Sequence, residues 1–253
     1  MELNLKNKVV LVTGGSHGIG KAIVMSLAKE ECNIAVCARG ERYDVDACVE
    51  DVCTQTSATA IAIIEDLDYS KVVHARVIEK VVSVFGRLDI LVNNVGGGSS
   101  WGNQEQWIDT PEDVWERVMY HNYQTAVNLT SLAIPEMEKN DFGRVVTISS
   151  IFGKENGGKP WFQAAKSAQI SFMKAMASSS YGKTGKITFN TVCPGFISIP
   201  GKNISGVFND QSSVLKYGTS EDVSGIVTFL CSPRAKYING ACITVDGGFT
   251  KSF

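Results

Sequence analysis

The sequence lacks the features that mark membrane, secreted and nucleic-acid-binding proteins. Across its 253 residues, no apolar run reaches the roughly 18 residues that a transmembrane helix needs. The first residues show no signal-peptide core, so we expect a cytoplasmic protein. Lysine and arginine (24) nearly balance aspartate and glutamate (26), which gives a formal net charge of −2. This balance, with no basic run, argues against a nucleic-acid partner.

Residue patterns typical of metal-binding sites are also scarce. The chain has three histidines; neither His74, which we expect at the surface, nor His121 has a second ligand at helical spacing. The seven cysteines include no Cys-x-x-Cys pair. An odd number of cysteines in a chain of this size is typical of reduced, mostly buried thiols in the cytosol. We therefore predict no metal site.

The sequence does contain short apolar runs that alternate with longer amphipathic stretches. Seven runs rich in valine and isoleucine are typical of strands buried on both faces: Val9–Val12, Ile34–Cys37, Ile61–Ile64, Leu88–Val92, Val145–Ile148, Ile187–Val192 and Ala241–Val245. The helical stretches include Gly18–Glu30, Ser70–Phe85, Pro111–Lys139 and Trp161–Tyr181. This order predicts an α/β fold, a doubly wound parallel sheet with helices on both faces. No linker or repeat interrupts it, so we expect a single domain over residues 1–253.

A glycine-rich turn follows the first predicted strand. Gly14, Gly18 and Gly20 have the spacing G-x-x-x-G-x-G. Glycines let the backbone approach a pyrophosphate closely, and the N-terminus of the next helix offers N–H groups and the positive end of its dipole. Because the turn lies between a strand and a helix, it indicates a dinucleotide site.

The end of the second strand bears on which dinucleotide binds. A carboxylate at this point accepts a hydrogen bond from the ribose 2′-hydroxyl of NAD, but the chain has Ala38 and Arg39 here, and Glu41 is the nearest carboxylate. Arg39, helped by His17 of the glycine turn, can pair with a 2′-phosphate. This favours NADPH over NADH; the alternative is that Arg39 is only a solvated charge.

Polar residues follow several of the predicted strands. Asp66, Asn93, Ser150 and the pair Pro194–Gly195 each stand at a strand end. Ligands of open α/β sheets bind beyond the carboxyl ends of the strands, so these residues predict a single site. The loops at 96–110 and 198–213 are longer than a connection needs, and we expect them to line the substrate pocket.

Together these motifs resemble the short-chain dehydrogenase/reductase family. The resemblance covers essentially the whole chain and rests on Thr13–Gly20, Asn93–Gly96, Asn122, Ile148–Ser150, Lys166, Pro194–Gly195 and Val245–Gly248. It implies a Rossmann-type domain, a nicotinamide cofactor, interconversion of a carbonyl and a secondary alcohol, and a homo-oligomer, tetramer or dimer. It also implies the cofactor contacts Gly14, Ser16, His17, Gly18, Ile19, Gly20, Arg39, Asp66, Leu67, Asn93, Val95, Gly96, Lys166, Pro194, Gly195 and Ile197.

The family's catalytic set is an Asn, a Ser and a Tyr-x-x-x-Lys motif. Asn122 matches the Asn, Ser150 matches the Ser ahead of the less favoured Ser149, and Lys166 matches the Lys. The Tyr position holds Phe162. On the resemblance, Ser150 polarises the carbonyl, Lys166 holds the cofactor ribose and tunes the tyrosine, and Asn122 holds a water of the proton relay.

Phe162 departs from the family at the residue that donates the proton. A phenol has a pKa of about 10, which a nearby ammonium lowers, whereas a phenyl ring has no proton to give. Losing a general acid costs about 100- to 10,000-fold in rate. We therefore predict an NADP(H)-dependent oxidoreductase that binds its cofactor but turns over poorly. The intact residues around Phe162 favour a deliberate inactivating change over a natural phenylalanine, and both origins stay open.

Two other hypotheses remain. One is a non-catalytic protein of the same fold that senses NADP(H) or a metabolite. The other is an enzyme of this fold that performs isomerisation or dehydration with a loop carboxylate such as Glu155. Glu155 or Lys159 is also a candidate replacement acid, whereas three tyrosines are not expected near position 162: Tyr120, Tyr123 and Tyr181. The polar loop at 154–159 suggests a hydroxylated or acidic substrate, such as a sugar or a keto acid.

Overall fold

Seven parallel strands form the central sheet of the computed structural model, which describes residues 2–40, 45–67, 69–98, 107–199 and 217–252. The strands are β1 (Val9–Thr13), β2 (Asn33–Ala38), β3 (Ala60–Ile64), β4 (Ile90–Asn93), β5 (Gly143–Ile148), β6 (Ile187–Pro194), β7 (Ile197–Ser198), β8 (Gly218–Thr219) and β9 (Cys242–Val245). Strands β7 and β8 pair with each other in a separate two-stranded ladder. The seven predicted strands are all confirmed, with bounds shifted by two residues at most.

The order of the large sheet is β3-β2-β1-β4-β5-β6-β9. The order in which strands are added reverses between the adjacent parallel strands β1 and β4, where Leu11 pairs with Leu91. Strands β2 and β3 lie on one side of this point, and β5, β6 and β9 lie on the other. Strands β1, β2, β4 and β5 are almost entirely buried. Their valines and isoleucines point alternately into two apolar clusters, one under each helical layer. This explains why the strands have continuous apolar runs in the sequence.

The helices cover both faces. They are α1 (Gly18–Lys29), α2 (Val45–Gln55), α3 (Lys71–Phe85), α4 (Glu112–Met119), α5 (Thr125–Lys139), α6 (Pro160–Ala177), α7 (Ser180–Lys183) and α8 (Ser220–Cys231). The helical stretch predicted over Pro111–Lys139 is confirmed from Glu112 onward, with a π-helical segment, Tyr120–Gln124, between α4 and α5. The helix predicted over Trp161–Tyr181 ends at Ala177.

The prediction that His74 lies at the surface is wrong. Its side chain is fully buried on α3, with Nε2 2.9 Å from the carbonyl oxygen of Leu67 and Nδ1 3.3 Å from Nδ2 of Asn128. The imidazole thus contacts two other segments of the chain, and the periodicity of the sequence reveals neither contact. It ties the loop after β3 to α5.

Within the described ranges, no helix combines the length and the apolar character that crossing a membrane requires. The same ranges contain no group of three histidine, cysteine, aspartate or glutamate side chains arranged to hold a metal ion.

Candidate active site

The glycine turn between β1 and α1 has a shape that only glycine permits. Gly14 and Gly18 have φ of +62° and +53°, in the left-handed region that side chains avoid. A Cβ on Gly20 would collide with the carbonyl oxygen of Gly14 and lie 2.7 Å from Nδ2 of Asn94. Asn94 fixes the turn, since its Nδ2 donates to the carbonyl oxygens of Thr13 and Gly14, each at 3.0 Å.

A first cavity opens at the carboxyl ends of β1, β2 and β3. Its described lining consists of Gly14, His17, Ala38, Arg39, Glu65, Asp66, Leu67, Asn94, Val95, Gly96 and His121. Arg39 lies half-buried in this lining. The carboxylate of Glu65 accepts hydrogen bonds from the guanidinium of Arg76 at 3.0 Å, so part of its charge is neutralised. Glu41, the nearest carboxylate in the sequence, lies outside the described residues.

A second cavity continues from the glycine turn toward β5 and α6. Its described lining consists of Gly14, His17, Gly18, Ile19, Gly20, Asn94, Gly96, Gly97, Ile148, Ser149, Ser150, Phe162, Lys166, Pro194, Gly195 and Ile199. The structure thus brings the glycine turn, both candidate serines, position 162 and the lysine to one cleft. This is the edge of the sheet where the sequence places the site.

The two serines at the end of β5 have different surroundings. The Ser149 hydroxyl is buried and donates to the carbonyl oxygen of Lys166 at 2.8 Å. Ser150 is half-buried, and its Oγ accepts the N–H of Phe152 at 3.2 Å. That bond leaves the Ser150 proton available to a ligand, whereas the Ser149 proton is engaged in the fold.

Lys166 lies beneath the cleft, one turn of α6 after Phe162. Only 4% of the residue is exposed, and Nζ donates to the carbonyl oxygen of Ile148 at 3.0 Å. The ammonium lies 5.6 Å from the centroid of the Phe162 ring. Burial lowers the pKa of Lys166 to about 8, because desolvation disfavours the charged form.

The buried lysine should cost the fold stability. Its pKa falls from an ordinary 10.5 to about 8, so between these values the unfolded chain binds more protons and stability rises with pH. We expect Lys166→Met to be more stable than the parent by about 1–3 kcal/mol at pH 7, from about 1.4 kcal/mol per pKa unit less the lost hydrogen bond. This advantage should shrink between pH 8 and 10.5, as urea unfolding at several pH values would show.

The control for that comparison is Lys183→Met, at an exposed lysine of α7. It should leave the free energy of unfolding and its pH dependence unchanged. If Lys166→Met were less stable than the parent at pH 7, the hydrogen bond to Ile148 would outweigh the desolvation of the ammonium.

Asn122 sits in the π-helical segment and holds the loop after β4. Its Oδ1 accepts the N–H of Gly97 at 3.0 Å, and its Nδ2 donates to the carbonyl oxygens of Gly97 and Val118, each at 2.8 Å. Its own carbonyl oxygen accepts Nε2 of the buried Gln169 at 2.8 Å. The clearest role of the Asn122 side chain is therefore to position this loop. A Cβ on Gly96 would lie 2.6 Å from Asn122 Oδ1 and 3.0 Å from Lys166 Nζ, so these residues meet.

Three residues assigned to the cofactor from the sequence lie behind the cleft. Ser16 is buried, and its Oγ has no hydrogen-bond partner among the described residues. Asn93 is buried in β4, where its Nδ2 contacts the hydroxyls of Thr130 and Thr147. Ile197 packs against the core cluster that includes β1 and β2.

Other residues reach the cavities without having been assigned from the sequence. The principal ones are Asn94, Ile199 and His121. Asn94 belongs to the Asn93–Gly96 motif, and this motif is the sequence feature that could have identified it. His121 precedes Asn122 in the π-helical segment. The sequence does not predict this geometry, so it could not show that the His121 side chain faces the first cavity. Most of the loop at 96–110 and nearly all of that at 198–213 lie outside the described residues.

Three of the candidate replacements for the missing phenol have their side chains engaged elsewhere. Tyr120 stacks on Tyr69, with ring centroids 4.6 Å apart, and Tyr123 packs edge-on against Phe172. The Glu155 carboxylate accepts the N–H groups of residues 251 and 252 at 3.0 and 2.6 Å. Hydrogen bonds from the side chain and the N–H of Ser252, and from the N–H of Lys251, lower the pKa of Glu155, so its carboxylate is deprotonated at neutral pH and has no proton to donate. These positions argue against a substitute acid from any of the three.

Comparison with known proteins finds similarity to reductases and dehydrogenases. Residues 8–205 match the sequence profile of the short chain dehydrogenase family. The 3-oxoacyl-[acyl-carrier-protein] reductase FabG of Staphylococcus aureus is 32% identical, in a match that covers 95% of this chain and 97% of the relative. L-sorbose reductase from Gluconobacter frateurii, solved with NADPH and L-sorbose, is 26% identical with a TM-score of 0.89 and full coverage of both chains. A 7α-hydroxysteroid dehydrogenase, solved with NADH and 7-oxo glycochenodeoxycholic acid, is 26% identical with a TM-score of 0.87, over 99% of this chain and 97% of the other.

Proposed function

Because this chain belongs to the short-chain dehydrogenase family, we propose that it binds NADP(H) and that its cleft is built to interconvert a carbonyl and a secondary alcohol. The observation that carries the proposal is the second cavity, where Ser150, Lys166 and position 162 face the glycine turn. A single domain and a homo-oligomer, tetramer or dimer, are part of this proposal, as is usual in the family.

The glycine turn fits a dinucleotide. Side chains at Gly14, Gly18 and Gly20 would fill the space or strain the backbone that a pyrophosphate needs, and α1 presents its N-terminus there. Arg39 would hold a 2′-phosphate in the first cavity, and Lys166 would hold the nicotinamide ribose. When bound, the nicotinamide supplies or accepts the hydride.

The residues of the cleft then divide the remaining work. The Ser150 hydroxyl donates to the carbonyl oxygen of the substrate and stabilises the charge that develops there. Lys166 keeps two N–H donors beyond the one given to Ile148, enough to orient a ribose. Phe162 supplies shape at the proton-donating position but no proton. We therefore propose that this chain binds its cofactor and turns over slowly.

A second candidate is a non-catalytic NADP(H)-binding protein of the same fold. Phe162 packs against an apolar cluster formed by Val114, Val118, Trp161 and Ala165, which suits a phenyl ring without a hydroxyl. This favours a phenylalanine to which the fold is adapted. Restoring the phenol distinguishes the two candidates, as argued in the Discussion.

Binding of the reduced cofactors tests the proposal directly. We expect NADPH to bind more tightly than NADH, measured by nicotinamide fluorescence, with substrate turnover near the detection limit. Arg39→Ala should weaken NADPH about 10- to 100-fold, the worth of a charge-assisted hydrogen bond of about 1.5–3 kcal/mol, and leave NADH unchanged. Equal weakening of both cofactors would show that Arg39 supports the fold rather than the 2′-phosphate. No binding of either would overturn the proposal.

A further inference from the structure

Two cysteines on adjacent strands at the edge of the sheet form a close pair. Cys193 of β6 is opposite Thr244 of β9, and Cys242 of β9 is opposite Thr191. The two cysteines are thus offset by two positions and lie on the same face of the sheet. Their sulfurs are 3.4 Å apart. Cys193 is fully buried, whereas Cys242 is partly exposed.

The partly exposed sulfur opens to a cavity away from the active-site cleft. This third cavity lies between α6 and β9, and its described lining consists of Gly153, Lys154, Ser167, Ile170, Ser171, Lys174, Ala175, Ser178, Gly240, Ala241 and Cys242. The charges of Lys154 and Lys174 act on Cys242, and Lys174 is fixed by a 3.2 Å hydrogen bond to the carbonyl oxygen of Gly240. A small polar oxidant can therefore reach Cys242, beside two cations that favour its thiolate.

The buried sulfur points the other way, toward the active site. The backbone N–H of Ser150 and the charge of Lys166 both act on the Cys193 sulfur. The next two residues, Pro194 and Gly195, line the second cavity. The thiol pair thus connects an accessible cavity to the serine that faces the substrate.

We propose that Cys242 and Cys193 form a reversible redox pair, in which Cys242 reacts with a hydroperoxide and Cys193 resolves the product. In the first step, the Cys242 thiolate attacks an oxygen of hydrogen peroxide. The S–O bond forms, the O–O bond breaks, and the departing hydroxide takes a proton and leaves as water. In the second step, the Cys193 sulfur attacks the Cys242 sulfenic acid, giving a disulfide and a second water. Two thiols are oxidised and one peroxide is reduced to two waters.

The order of the two sulfurs follows from their surroundings. The two sulfurs share one hydrogen bond, and Lys154 and Lys174 lie on the Cys242 side. The hydrogen bond and the two ammonium charges lower the pKa of Cys242. The hydrogen bond with Cys242, burial and the charge of the Cys242 thiolate raise the pKa of Cys193. Cys242 therefore ionises first and is the nucleophile. A bond between offset positions of parallel strands requires the strands to shift, which makes the disulfide strained and easy to reduce.

Oxidation of the two cysteines should change the shape of the active-site cleft. Closing the bond draws Cys193 toward β9, weakens its contact with the Ser150 N–H and moves Pro194–Gly195. We expect NADPH binding to weaken several-fold on oxidation and to recover on reduction with dithiothreitol. The thiol chemistry involves no cofactor, so it can be tested whether or not the proposed function holds.

The experiment follows the thiols of the intact protein by peptide mass spectrometry. After brief exposure to hydrogen peroxide, a peptide containing Cys193 disulfide-linked to Cys242 should form and disappear with dithiothreitol. In the reduced protein, iodoacetamide at pH 7.5 should modify Cys242 about tenfold faster than Cys53, an exposed thiol on α2. Cys53 is thus an internal reference that needs no variant.

Matched variants separate the roles of the two sulfurs. Cys193→Ser should leave a Cys242 sulfenic acid that dimedone traps, Cys242→Ser should abolish the response to peroxide, and Cys53→Ser should retain it. The proposal is wrong if the native protein forms no Cys193–Cys242 peptide, if Cys242 pairs only between chains, or if Cys242 reacts no faster than Cys53. These outcomes can be read from the native protein even if a variant fails to fold.

Discussion

Replacing Phe162 with tyrosine should raise kcat for carbonyl reduction by about 100- to 10,000-fold. The other parts of the site are present, because Ser150 and Lys166 line the same cleft as residue 162. The Lys166 ammonium lies 5.6 Å from the ring centroid, close enough to lower the pKa of a phenol there. The measurement is NADPH oxidation by the two chains side by side, with 3-oxoacyl, sugar and keto-acid substrates.

The control for this gain is Phe162→Leu, which changes the ring but adds no proton and should stay as slow as the parent. Adding Ser150→Ala to Phe162→Tyr should remove most of the recovered rate. The Kd for NADPH should differ little between the parent and the Phe162→Tyr variant, because the phenol acts on the substrate. Equal turnover by both chains would mean that another group donates the proton. Binding without turnover in either would favour the non-catalytic candidate.

Replacing Gly20 with alanine should abolish measurable cofactor binding, a loss of at least about 100-fold in affinity. The new Cβ would collide with the carbonyl oxygen of Gly14 and crowd Nδ2 of Asn94 at 2.7 Å. Both partners belong to the turn itself, so the turn must deform to admit the methyl group. We also expect stability to fall by about 1–3 kcal/mol, the usual cost of overpacking. Fluorescence titration with NADPH and urea unfolding would measure the two effects.

Gly225→Ala is the matched control. Gly225 is an exposed residue of α8, and no described atom outside its own helix lies within 4 Å of the position a Cβ would take. Alanine there should raise stability by up to about 1 kcal/mol, since glycine is a poor helix former, and leave NADPH binding unchanged. Tight NADPH binding by Gly20→Ala would show that the cofactor does not lie against the glycine turn.

The strands and the position of the cleft were predictable from the sequence for a physical reason. A strand buried on both faces is apolar along its length, and β1 (Val9–Thr13) and β4 (Ile90–Asn93) show this up to their polar last residues. In a parallel sheet all carboxyl ends share one edge, so strand order along the chain already gathers Ser150 and the glycine turn on the same side.

The remaining features depend on contacts between distant segments. The surroundings of His74 come from the loop after β3 and from α5, which periodicity along α3 does not reveal. The π-helical segment between α4 and α5 does not interrupt the helical pattern of apolar and polar residues, so periodicity predicts one continuous helix there. Glu155 is a candidate acid because it is a carboxylic acid in the loop before position 162. Its hydrogen-bond partners are residues 251 and 252, almost 100 positions away along the chain.

The π-helical segment Tyr120–Gln124 carries one residue more than a continuous α-helix would need between α4 and α5. A π turn bonds residues five apart where an α-helix bonds residues four apart, so the extra residue is absorbed within one turn and the helices on either side keep their relative orientation. Deleting one residue here would let a continuous α-helix form and would leave Val114 and Val118 of α4 facing α6. The loss would fall on Asn122, whose hydrogen bonds to Gly97 and Val118 depend on the wider turn. The packing of the helices can therefore tolerate a single-codon deletion that the loop after β4 cannot.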